Sequence, residues 1–275
     1  MAVAEPVVVP ALRRPLGVRL PLSGRLPVRG GVAVLVGVSV LLLLAPLLAP
    51  HSGTAPSGAG DFSPPLSGGA LLGTDDLGRD LLSRVLLGAR ASWFSALLVV
   101  ASGVLIGGLV GLVAAVRGGW VDGLLMRITD LFLALPGPVL TIAVVVALGP
   151  SLLHVLLAVG IVWWPWYARI VRGEVRVLLA RPHVDAARLA GAGPLRLARR
   201  HLLPGAVPAV LVAASLDVGN LVLALAALSF LGLGAPPPTP ELGAMAASGL
   251  PYLLGHPWVA AVPATAVFVL ALVAN

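Results

Sequence analysis

Apolar and polar positions alternate along the chain in blocks rather than in short periods. Six apolar runs stand out: Gly31–Ala49, Trp93–Val116, Ile128–Leu148, Leu152–Ala168, Val207–Leu233 and Trp258–Val273. A helix needs about 20 such residues to cross a hydrocarbon core, so each run reaches or approaches the length of a span. The fourth and sixth are the shortest. This pattern predicts an all-α, polytopic membrane protein with six transmembrane helices. The first run follows a basic, proline-bearing tail and is too long and too far from the N-terminus for a cleaved signal, so it reads as a retained signal anchor.

The polar blocks carry their own patterns. Pro50–Gly69 is rich in Gly, Ser and Pro and reads as a loop. From Leu77 onward, Leu81, Leu82, Val85 and Leu86 recur at helical spacing opposite Arg79, Asp80, Ser83 and Arg84. This predicts an amphipathic helix lying on the membrane surface, with Thr74 or Asp75 as its N-cap. In Arg117–Asp130, Asp122 and Asp130 bracket Arg127 and are expected to pair with it. In Ala227–Met245, Gly232 and Gly234 loosen a helix end and a proline run forbids its continuation, giving a rigid turn in which Glu241 is the one acid.

The most unusual block is Val184–Pro204, a basic, helix-prone insert between the fourth and fifth apolar runs. Asp185 is placed to open a helix near Ala186, while Gly191, Gly193 and Pro194 break it and Leu195–Leu203 form a second short helix. Ala186 and Ala187 leave a smooth face for close approach by another protein. A helix–turn–helix elbow of this kind suits docking in a groove, and it equally suits lying on anionic headgroups. Within the fifth run, Asp217 and Asn220 share a helical face. An acid at the bilayer centre costs about 2.5–3.5 kcal/mol, so this pair lines either a translocation path or an interhelical contact.

Composition agrees with the block pattern. The chain is 59% apolar and only 11% charged, with mean hydropathy +1.04. Every basic residue apart from histidine is arginine, and there is no cysteine, which removes disulfides and thiolate chemistry. The net charge of +7 is a matter of topology rather than nucleic-acid binding. With the N-terminus inside, fifteen arginines fall on the inner side and only Arg79, Arg84 and Arg90 on the outer side. That places both the N-terminus and the Val184–Pro204 elbow in the cytoplasm.

Catalytic signatures are missing from the sequence. The five histidines are scattered without metal-ligand spacing, and neither a phosphate-binding loop nor a nucleophile elbow occurs. No enzyme, metal or cofactor is expected, and energy must come from an ion gradient or from a partner that hydrolyses nucleotide. An ion-coupled secondary transporter and a non-transporting membrane scaffold are the alternatives on the residues alone.

Four segments together resemble one family. LGTDDLGRDLLSRVLLGARAS (Leu72–Ser92), RGGWVDGLLMRITD (Arg117–Asp130), VDAARLAGAGPLRLARRHLLP (Val184–Pro204) and ALSFLGLGAPPPTPELGAM (Ala227–Met245) lie in the order and spacing of the C-type permease subunits of dipeptide, oligopeptide and nickel ABC importers. The resemblance implies a type I, MetI-like importer permease in a bacterial cell membrane. It implies a heterodimer with a homologous permease, two ATPase subunits and an extracytoplasmic binding protein, all surrounded by membrane lipid. It also divides the chain into a basic tail (1–30), a first span with an outer loop (31–92) and a permease domain (93–275) with a coupling loop at 184–204. Within that loop Asp185, Ala186, Ala187, Gly191, Leu197 and Pro204 are implied in ATPase coupling, with Asp185 standing where Glu is more usual. The family continues past such an Asn275 into a short cytoplasmic tail, so a truncated C-terminus is expected.

Overall fold

The computed structural model describes residues 26–275, with side chains from Ala33 onward. The basic tail expected over 1–30 therefore lies almost wholly outside the described residues. Helices α1 (Leu26–Leu43) and α2 (Ala45–Leu48) precede a loop that ends at α3 (Leu81–Arg117). After α3 come α4 (Gly119–Ala134), α5 (Gly137–Leu148) and α6 (Leu152–Leu179). The elbow holds α7 (Pro182–Leu189) and α8 (Pro194–Leu197), and a π turn at Ala198–Leu202 leads into α9 (Leu203–Phe230). Helices α10 (Leu242–Gly249) and α11 (Trp258–Ala274) complete the fold. No β-strand occurs among the described residues.

Three unbroken helical segments are long and apolar enough to cross a membrane: Leu81–Arg117, Leu152–Leu179 and Pro194–Phe230. Shorter apolar helices fall on the first and sixth predicted runs. The third run departs from expectation. Instead of one span over Ile128–Leu148, the chain bends by 85° between α4 and α5. Pro136 explains the break, because the residue before a proline is pushed out of the α region and Leu135 is extended at ψ 139°.

The expected surface helix from Leu77 is also different. Helix formation starts at Leu81 and continues without interruption into the span, making α3 a single element of 37 residues. Asp80 is its cap, accepting from the Ser83 amide at 3.0 Å and the Ser83 hydroxyl at 2.6 Å. Asp75 instead closes a tight turn, accepting from the amides of Leu77 and Arg79 at 3.0 Å and from Arg79 Nε at 2.7 Å. The polar side of the helix start does not face water. Arg84 is buried beneath the loop and donates to the carbonyl of Gly53 at 2.6 Å.

The core of the bundle is the α3–α6 contact. Gly103, Gly107 and Gly111 form a small-residue stripe that lets the two backbones meet. A Cβ on Gly107 would fall on the Trp164 carbonyl oxygen and 2.8 Å from the Ala168 nitrogen; one on Gly111 would meet the Ala168 carbonyl and lie 2.9 Å from the Arg172 nitrogen. Since neither contact involves a flexible side chain, only glycine fits.

Candidate functional site

The elbow joins α6 to α9, and its form follows from local sequence. Pro182 starts α7, where its missing N–H costs nothing and its fixed φ suits a first turn. The helix therefore opens four residues earlier than the predicted start near Ala186, and Asp185 sits inside the first turn rather than at the cap. There it is exposed and 3.4 Å from Arg188, with its charge favourably placed near the helix N-terminus.

Gly191 ends α7 in a Schellman motif. It adopts φ 80°, its amide donates to the Arg188 carbonyl at 2.9 Å, and the Ala192 amide donates to the Ala187 carbonyl at 3.0 Å. The second arm is not a separate short helix over Leu195–Leu203. It runs through α8 and the π turn directly into α9, because nothing between Pro194 and Phe230 interrupts the helical path.

Val184, Leu197 and Leu202 are buried and pin both arms to the bundle. Leu197 is thus an anchor of the elbow, not part of its surface. Ala187 packs half-buried on the same core. The outward face presents Asp185, Ala186, Gly191 and Pro204 with two bare leucines, Leu189 at 90% and Leu195 at 70% exposure. Leu189 and Leu195 carry no polar or charged signal that would mark them as surface residues in the sequence.

Two polar ties secure the helices that carry the elbow. On α9, buried Asp217 accepts from the Tyr167 hydroxyl at 2.7 Å and from Trp163 Nε1 at 3.1 Å, both on α6. Of the two roles open to Asp217 in the sequence, the geometry is that of an interhelical contact. Asn220, three residues on, is exposed and makes no side-chain hydrogen bond among the described residues. The second tie joins α4 to α6. Asp122 accepts from Arg172 Nη2 at 2.7 Å and lies 3.2 Å from Arg176 Nη2, while Asp130 pairs with Arg169.

These pairings replace the expected ones with Arg127. Asp122 and Arg127 are five residues apart, which sets them on different sides of α4. Arg169, Arg172 and Arg176 instead form a stripe along α6 that meets both acids. At the opposite end of the bundle, Glu241 is buried and accepts from the Ala235 amide at 2.7 Å, closing the proline-rich turn. Among the described residues no group of acids and histidines has metal-binding geometry.

A membrane bundle with an exposed, apolar-tipped elbow and no reactive constellation has the parts of a transport subunit. Residues 103–275 match the family described as the binding-protein-dependent transport system inner membrane component. The chain belongs to that family. The permease is 42% identical over 229 residues to the probable D,D-dipeptide transport system permease protein of Escherichia coli (strain K12), covering 83% of this chain and 76% of that one. It is also 42% identical over 238 residues to the di/tripeptide transport system permease protein of Pseudomonas aeruginosa (strain UCBPP-PA14), covering 85% and 78%.

The permease fold is shared with the inward-facing MetNI methionine ABC transporter, at TM-score 0.55 and 22% identity over 69% of this chain and 90% of that one. This permease is therefore a membrane-spanning, non-enzymatic subunit of an ABC importer, a class that works with separate ATPase and substrate-binding subunits.

Proposed function

We propose that the permease forms half of a translocation path for small peptides, pairing with a homologous permease and docking its elbow on the ATPases. Peptide handling is supported by relatives named for dipeptide and di/tripeptide transport. In this reading the tail and the elbow face the cytoplasm, residues 93–275 form the transport domain, and the binding protein delivers substrate near Leu72–Ser92 and Pro236–Pro257.

One observation carries the coupling role: the elbow is anchored to the bundle by Val184, Leu197 and Leu202, yet shows Leu189 and Leu195 to the outside. Bare leucines on a soluble-facing tip call for an apolar partner surface. Movement of that partner as it closes on ATP would be handed to α6 and α9 together, since the Asp217 tie keeps the two helices in register. Asp185, Ala186, Ala187 and Gly191 lie along the docking arm, and Pro204 at the base of α9. Asp217 and Asn220 belong near the path in this reading, Asn220 as the more accessible of the two.

Replacing Gly191 with Arg, or Ala187 with a bulky residue, in the reconstituted transporter tests the reading. Uptake should collapse while the ATPases keep a basal turnover that substrate no longer stimulates. Normal uptake with normal ATPase assembly would refute the docking role. Uptake that survives a hydrolysis-dead ATPase but fails with an ionophore would favour an ion-coupled transporter.

A further inference from the structure

We infer that α1 and α3 form a binding site for an anionic phospholipid, with Arg90 receiving the headgroup phosphate. The two helices leave a groove of about 460 Å³ lined by Leu43, Leu87, Arg90, Phe94 and Leu98 among others. It continues into a second, wholly uncharged hollow of about 240 Å³ that shares Leu43 and Phe94 and runs along α1 past Val40 to Leu35. Ser39, which lines this second hollow, accepts from Nε1 of the buried Trp93 at 2.9 Å, a bond that ties α1 to α3 beside it.

Arg90 is the single charge in this lining, and no hydrogen bond or ion pair to it exists among the described residues. Its depth fits a headgroup. Arg90 and Arg117 stand on one unbroken helix, 27 residues apart. At the helical rise that separation is about 40 Å, close to the thickness of a bilayer including its headgroup layers. With Arg117 at the elbow-side interface, Arg90 reaches the opposite headgroup layer and the apolar groove descends from it into the hydrocarbon. An acyl chain fits the groove, and a phosphate meets the guanidinium. The lining offers no acid to receive an ammonium headgroup, so phosphatidylglycerol suits the site better than phosphatidylethanolamine.

Native mass spectrometry of the assembled transporter, taken from mixed phosphatidylglycerol and phosphatidylethanolamine nanodiscs, tests this. The wild-type complex should retain phosphatidylglycerol about tenfold over phosphatidylethanolamine, because both offer a phosphate to Arg90 but the ethanolamine ammonium offsets that charge and finds no acid in the lining. Arg90→Gln should remove that preference and Arg90→Lys should keep most of it. Val40→Trp, which fills the second hollow away from the arginine, should reduce retained lipid of both kinds. Unchanged phosphatidylglycerol retention in Arg90→Gln or in Val40→Trp would overturn the site. So would an oxidant-driven disulfide between Val40→Cys and a cysteine introduced into the neighbouring permease, since protein would then occupy the hollow. Uptake assays on the same variants keep this result separate from the coupling role of the elbow.

Discussion

The Tyr167 hydroxyl donates to Asp217 across the contact between α6 and α9, at 2.7 Å and out of reach of solvent. These two helices are the arms from which the elbow hangs, so the bond fixes their relative position. Tyr167→Phe leaves Asp217 with Trp163 alone and should lower the stability of the purified permease by about 1–3 kcal/mol, the cost of a buried group losing its partner. Asp217→Asn keeps an acceptor and should be milder than Asp217→Leu in the same thermal unfolding series.

The glycine stripe gives a sharper contrast. Gly107→Ala places its Cβ on the Trp164 carbonyl oxygen and should prevent a folded permease from accumulating in the membrane. Gly108→Ala meets only a Val171 methyl at 3.9 Å and should accumulate like the wild type. Quantifying folded protein by size-exclusion chromatography in detergent separates the two.

Charge removal on α4 should depend on position in the same way. Asp122→Ala strips the partner shared by Arg172 and Arg176 and should destabilise the α4–α6 contact by about 2 kcal/mol, below the fully buried range because Arg172 is partly exposed. Arg127→Gln breaks none of the described ion pairs and should leave the melting temperature unchanged.

At the elbow, Gly191→Ala should cost about 1–2 kcal/mol locally, because φ 80° strains a residue with a Cβ. Gly191→Asn should be better tolerated, since Asn visits this conformation more readily. Hydrogen exchange at the amides of Gly191 and Ala192, both bonded in the Schellman turn, reads the difference directly.

Each of the six apolar runs falls on an apolar helix or a bent helix pair among the described residues, because length and hydropathy are local properties. They missed the 85° bend, although Pro136 and Pro138 were in view, since a continuous apolar run hides a break in direction. Gly191 was legible as a helix end, and its positive φ supplies the reason. Asp122 illustrates the opposite case: its partner Arg172 lies 50 residues away, and no spacing rule within α4 points to it. The start of α3 was misplaced because Thr74, Asp75 and Asp80 are all good caps, and only the folded loop decides among them. Leu189 and Leu195 look like core residues in sequence and become surface only when the elbow is seen to project.

Leu189→Glu is the most direct test of coupling, because that side chain is 90% exposed and its replacement leaves the fold alone. The measurement is substrate-stimulated ATP hydrolysis and peptide uptake by the transporter reconstituted with its ATPases and binding protein. An intact permease that no longer retains the ATPases and no longer takes up substrate is the expected result. Uptake and ATPase retention equal to wild type would contradict the assignment of the elbow as the coupling surface.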